Sequence, residues 1–152
     1  MNELEKQFRS TEPSLRRLED EARFIISDSV NRSKIKIHSL LSRVKSLESF
    51  LDKITRKNLS HPFGTIDDLV GLRVVCLFRS DIKKLGEIIR EQFDVLAEDN
   101  KLDGATVDGF GYQSVHFVSR IKASHVGPRY QGLHDLRMEI QLRTVAMDTW
   151  AT

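Results

Sequence analysis

"LRVVCLF", residues 72–78, is the stretch on which the fold turns. It is an apolar run rich in β-branched side chains, and such a run reads as a buried strand. Both flanks carry punctuation. Upstream, "NLSHPFGT" (58–65) is a loop broken by Pro62 and Gly64. Downstream, Ser80 is placed to cap a helix with Asp81 in its first turn, and Leu85, Ile88 and Ile89 form that helix's apolar stripe. The one cysteine, Cys76, lies inside the run. That predicts a buried, inert thiol and excludes a disulfide framework or a cysteine metal cluster.

Toward the N-terminus, "KIKIHSLLSRVKS" (34–46) alternates in its first half, which predicts a strand over Ile35–Val44. Ser46 then caps a helix through Lys57, with Leu47, Phe50, Leu51 and Ile54 as its buried stripe. Residues 1–31 read as mostly helix, with Thr11 as an N-cap, Pro13 in a first turn, and Leu15, Leu18, Ala22 and Ile25 at helical spacing. Toward the C-terminus, "DVLAED" (94–99) is a short strand and 101–110 a loop. "SVHFVSRIK" (114–122) is a strand, 123–133 a loop, "MEIQLRT" (138–144) a strand, and "VAMDTWAT" (145–152) the opening of a helix. This order predicts an α+β fold: a mostly antiparallel sheet flanked by helices, with an N-terminal helical segment (1–34) ahead of the main domain (35–152).

The bulk numbers narrow the function. A chain of 152 residues that is 39% hydrophobic and 30% charged reads as a soluble globular domain. Lys and Arg total 24 against 22 Asp and Glu, a net charge of +2, which argues against a mainly electrostatic nucleic-acid binder. The N-terminus "MNELEKQFRS" has no apolar signal region, and no segment is long enough to span a membrane, so a cytoplasmic location is expected.

Three constellations bear chemistry. In "GYQSVH" (111–116), strand alternation puts Tyr112, Ser114 and His116 on one face and Val115, with Phe117 beyond it, on the other. In "MEIQLRT", Met138, Ile140 and Leu142 face a core while Glu139, Gln141 and Arg143 face away. Alone, each is ordinary alternation on a half-exposed strand. The connection between them allows antiparallel pairing, which would merge the two polar faces. In "IDDLVGLR" (66–73), Asp67 and Asp68 precede the buried strand and Arg73 lies within it. Turn or cap service is the ordinary role for such an Asp. The alternative pairs it with a Glu from another strand as hard-oxygen ligands for magnesium on a nucleotide. In "SRVKSLESFLDKITRK" (42–57), Ser49, Lys53 and Arg56 share a helix face, and Arg43 and Lys45 share one side of a strand end. That is either a solvated basic surface or a polyphosphate cradle. There is no P-loop, no G-x-G-x-x-G fingerprint and no metal-site histidine spacing; His134–Asp135 is an isolated dipeptide.

In this order, "SRVKSLESFLDK", "DDLVGLRVV", "GYQSVH" and "EIQLRTVAMDTWA" resemble the synthetase domain of the RelA/SpoT family, over Ser42 to Ala151. The resemblance implies a nucleotidyltransferase-like fold and a reaction: transfer of pyrophosphate from ATP to the ribose 3′-hydroxyl of GDP or GTP, giving ppGpp or pppGpp and AMP. It implies Asp68 and Glu139 as the acidic pair holding Mg2+, with Glu139 also the candidate base. It implies Arg43, Lys45, Ser49 and Lys53 at ATP and its phosphates, and Arg73 stacked on adenine. On the acceptor side it implies Tyr112 stacked on guanine, with His116, Gln141 and Arg143 around it.

The departures matter too. Phe110 stands before Gly111 where long synthetases carry Pro-Lys-x-Asn, which keeps a different acceptor open, and a reading of another class stands beside it. The first is a toxin-type enzyme acting on the tRNA 3′ end or on adenosine nucleotides, with Lys122, Arg129 and Arg137 as basic candidates; the second is a catalytically silent nucleotide- or RNA-binding module. The stretch before Ser42 is too short for a metal-dependent hydrolase domain. A small stand-alone synthetase, or a fragment truncated at its C-terminus, is therefore expected, with a homo-oligomer as the implied assembly.

Overall fold

The computed structural model describes residues 2–103 and 112–145, and their side chains except those of 101–103, 112 and 113. In chain order the elements are α1 (Glu3–Arg32), β1 (Ile37–Val44), α2 (Leu47–Lys57), a one-turn α3 (Pro62–Thr65), β2 (Val70–Cys76), α4 (Arg79–Gln92), β3 (Phe93–Asp103), β4 (Tyr112–Ile121) and β5 (Met138–Thr144). The five strands form one mixed sheet in the order β1-β2-β5-β4-β3. Three ladders are antiparallel and one, β2 with β5, is parallel. This is the α+β, mostly antiparallel architecture the sequence predicts.

Alternation decides which face is buried. Leu72 and Val74 of β2, Val115 and Phe117 of β4, and Met138, Ile140 and Leu142 of β5 join one core with α1 and α4. From α1 come Phe8, Leu15, Leu18, Ala22, Ile25, Ile26 and Val30; from α4 come Ile82, Leu85 and Ile89. The opposite face carries Leu41 and Arg43, Gly71 and Arg73, Glu139 and Gln141, and Val118 and His116, which the ladders place side by side.

Several boundaries differ from the sequence reading. Helix α1 does not start at Thr11. Asn2 is its N-cap, accepting from the Glu5 N–H at 2.8 Å, and Pro13 lies inside the helix. An interior proline costs about 3 kcal/mol, yet Phe8 before it and Leu15 after it enter the same core and hold both halves in place. Ser80 does not cap α4. The helix opens two residues earlier, after Phe78, with no side-chain cap. Strand β2 runs from Val70 to Cys76, and Leu77 and Phe78 are exposed because the ladders on both sides end at Cys76. The loop at 58–65 contains the α3 turn, and β3 runs well past "DVLAED". The segment at Phe110 and the helix expected from 146 lie outside the described residues.

Cys76 is fully buried, and burial, with the nearby Asp81 charge, pushes its thiol up to about 11, so it is inert at neutral pH. No helix among the described residues is long and apolar enough to cross a membrane. Helix α2 is tied down by Phe50, whose ring centroid lies 4.9 Å from that of Phe8 and 5.0 Å from that of Phe63. Phe50→Ala is expected to cost about 3–5 kcal/mol, read as a lowered urea midpoint. A loss below about 1 kcal/mol would show that α2 is held by something else.

Candidate active site

The parallel pairing of β2 and β5 brings two strand starts to the same end of the sheet, with Gly71 opposite Glu139. Asp68 precedes one strand and Glu139 is the second residue of the other, so the two carboxylates converge. Arg137, just ahead of β5, bonds Asp67 at 3.0 Å and ties the two starts together on the surface. On the other side, the Lys45 N–H donates to the Leu69 carbonyl at 2.8 Å, which carries the β1–β2 pairing one step past β1 and sets Lys45 beside Asp68.

Asp68 is held by two lysines, one on each oxygen. Lys53 Nζ donates to Oδ1 at 2.8 Å and Lys45 Nζ lies 3.3 Å from Oδ2. Lys45 is itself buried, only 8% exposed, and Asp68 is the carboxylate that compensates it. Ser46 fixes the helix that supplies Lys53. Its Oγ accepts from the Ser49 N–H at 3.1 Å and donates to Ser49 Oγ at 3.0 Å. Burial alone would raise the Asp68 pKa; the Lys53 hydrogen bond and the two lysine charges outweigh it, and the net shift is downward.

Glu139 is held differently. His116 Nδ1 lies 3.3 Å from Oε1, and Gln141 Nε2 donates to the same oxygen at 2.7 Å. The His116 hydrogen bond lowers the Glu139 pKa; burial and the Asp68 charge push it up, Gln141 pulls it down, and the net shift is downward. Both acids are therefore ionised at neutral pH.

The two carboxylates line two adjoining cavities. One, of about 300 Å³, is walled by Leu41, Ser42, Arg43, Gly71, Arg73 and Gln141. The other, of about 240 Å³, is walled by Lys53, Lys57, Thr65, Asp67 and Val118. The sequence reading thus finds its members gathered: Arg43, Arg73, Asp68, Glu139 and Gln141 on the first cavity, Lys53 on the second, Lys45 and His116 behind the acids. Ser49 serves the start of α2 and lines neither cavity. Arg56 pairs with Asp52 at 2.8 Å on the surface. Arg143 shares the strand face of Gln141, one step further from the acids. Tyr112 opens β4, but its side chain lies outside the described residues. Of the basic tRNA candidates, Arg129 is engaged with Glu21 and Arg137 with Asp67.

The sequence reading missed Arg23. From α1 it donates to Ser42 Oγ at 2.9 Å and the Leu40 carbonyl at 3.2 Å, fastening the helix to the rim of the first cavity. It also missed Lys57 and Thr65. All three lie on elements whose neighbours are set only by tertiary packing.

A sequence pattern described as "Region found in RelA / SpoT proteins" matches residues 42–152. The chain belongs to the RelA/SpoT family. It is 34% identical over 117 residues to the GTP pyrophosphokinase YjbM of Bacillus subtilis (strain 168), covering 76% of this chain and 54% of that one. The chain spans about half the length of the curated relatives it matches. Two solved structures of small alarmone synthetase 1 from Bacillus subtilis superpose on the fold. The one bound to its product pppGpp gives a TM-score of 0.65 at 27% identity over 97% of this chain and 77% of that one. The one bound to AMPCPP gives 0.69 at 26% identity over 96% and 74%.

Asp68→Asn is expected to lower stability at pH 7 by about 1–3 kcal/mol, since Lys45 and Lys53 lose their anion. The folded pKa of Asp68 lies below its ordinary value of 3.8, so its contribution is complete above that value and is lost as pH falls through the folded one. Urea midpoints of wild type and variant should differ steadily from pH 7 to about pH 5 and converge below about pH 4. A constant gap across the whole range would remove Asp68 from the acid response.

Proposed function

We propose that this chain is a GTP/GDP pyrophosphokinase, moving the β,γ-pyrophosphate of ATP to the 3′-hydroxyl of GDP or GTP to make (p)ppGpp and AMP. The observation that carries the reading is the convergence of Asp68 and Glu139 between two cavities furnished with Arg43, Arg73 and Lys53, in a chain of the RelA/SpoT family.

The adenosine of ATP fits the first cavity, where the flat Arg73 guanidinium stacks on adenine and Arg43 flanks the phosphate chain. The phosphates then run past the acids toward Lys45 and Lys53, which exchange Asp68 for phosphate oxygens. Two ionised carboxylates, with no third ligating group beside them among the described residues, suit Mg2+, which takes one or two carboxylates plus substrate phosphates. Asp68 and Glu139 would hold it there, and it would offset charge on the phosphoryl group under attack. The acceptor occupies the β4–β5 side, with Tyr112 as the guanine platform and Arg143 toward its phosphates. Glu139 takes the 3′-hydroxyl proton, the oxygen–Pβ bond forms, and the Pβ–O bond to AMP breaks with its electron pair left on AMP. The substrates are soluble nucleotides, in keeping with a cytoplasmic site of action.

The deciding experiment incubates the protein with γ-labelled ATP, Mg2+ and, in separate tubes, GDP, GTP, ATP and deacylated tRNA. Label is expected only in guanosine tetra- and pentaphosphate, with AMP released. Label in tRNA or an adenosine product would replace the acceptor, and no transfer to any acceptor would leave a binding module. Asp68→Ala and Glu139→Ala should each abolish AMP release. Tyr112→Ala should raise the acceptor KM by about tenfold or more, the worth of one ring–base stack of 1–3 kcal/mol, with little effect on the ATP KM. An equal rise for both substrates would reject the stacking role.

A further inference from the structure

We propose that Gln141 and His116 are positioning residues for Glu139, and that they pin one carboxylate oxygen so that the other alone works. What Glu139 does with that oxygen rests on the reading above.

Gln141 stands two residues after Glu139 on the same strand face, and His116 faces Gln141 directly across the β4–β5 ladder. Both donors reach the same atom, Oε1, at 2.7 Å from Gln141 Nε2 and 3.3 Å from His116 Nδ1. Among the described residues Oε2 takes no hydrogen bond or ion pair. The carboxylate is therefore held from one side and left open on the other, as a metal ligand or proton acceptor must be.

The second atoms of the two donors complete the case. Gln141 Oε1 and His116 Nε2 are both buried without a partner. A carboxylate oxygen at 2.7 Å demands a donor, so the Gln141 amide must turn its nitrogen to Glu139 and its oxygen into the sealed side. Leaving a buried polar atom unpaired costs free energy, and two neighbouring side chains both accept that cost to keep a donor on Glu139. One polar atom of each is taken by Glu139, and the other is buried without a partner, so the donors of both side chains are committed to the carboxylate.

Gln141→Met keeps length and volume and removes the donor. It is expected to weaken Mn2+ binding, followed by electron paramagnetic resonance with a non-hydrolysable ATP analogue present, by about 10–100-fold, and to lower kcat over a similar range with the acceptor KM unchanged. His116→Asn, which retains a donor near Nδ1, should rescue most of the loss seen in His116→Phe. A raised acceptor KM with kcat and Mn2+ affinity intact would overturn the proposal, as would unchanged values throughout. If Gln141→Met fails to fold, the His116→Asn and His116→Phe pair decides alone: equal losses in the two would reject positioning. Wild-type protein that binds Mn2+ and the analogue but transfers no pyrophosphate would refute the pyrophosphokinase reading while leaving the Mn2+ comparison able to decide the role of Gln141.

Discussion

The parallel ladder between β2 and β5 is the constraint on which the site depends. Had these central strands paired antiparallel, like the other neighbours in the sheet, Asp68 and Glu139 would sit at opposite ends, separated by the length of a strand. The chain leaves β2, crosses over α4, and builds the β3–β4 hairpin before β5 returns to the middle. A late strand inserted between earlier ones needs its non-polar face complete on arrival, and Met138, Ile140 and Leu142 are all fully buried. Core packing thus fixes the register, and the register fixes the acids.

Electrostatics at that junction is balanced rather than open. Each carboxylate arrives with its own donors: lysines for Asp68, an imidazole and an amide for Glu139. The two sets differ in kind. Lysine nitrogens on a flexible stem can leave a carboxylate for a phosphate without disturbing the backbone, so Asp68 has exchangeable partners. Gln141 and His116 are short side chains fixed on strands, so the partners of Glu139 stay. One acid is thereby suited to release its cations to an incoming polyphosphate, and the other to remain oriented while that happens.

Much of this was legible beforehand, and the reasons are local. Strand alternation alone separated Val115 and Phe117 from His116, and Ile140 from Glu139 and Gln141, because a period of two needs no tertiary knowledge. Ser46 was legible as a cap because a serine before an amphipathic stripe has one favourable use. Thr11 and Ser80 misled for the same reason in reverse: each offers a cap, but apolar side chains on both sides of Pro13 override one, and a backbone bond from Asp81 N–H to the Phe78 carbonyl opens α4 without the other. The β2–β5 ladder was invisible, since parallel pairing carries no turn signature between its strands. Arg23 was invisible too, because its partners lie on a strand whose position over α1 is set by the core.

The sheet divides its labour by strand pair. Arg43 and Arg73 face outward from β1 and β2, while β4 begins at Tyr112 on the far side of β5. Strand β5 borders both halves, and its outward residues are Glu139, Gln141 and Arg143 in succession. A group transferred between ligands bound on either side must cross this strand, and Glu139 is its first outward residue, beside the acid from β2. The following residue on that face, Gln141, turns its donor back along the strand to Glu139 instead of out toward either neighbour. The geometry therefore ties one oxygen of Glu139 down with donors from β4 and β5 and leaves its twin to face the ligands, which is the fixed orientation a transfer site needs.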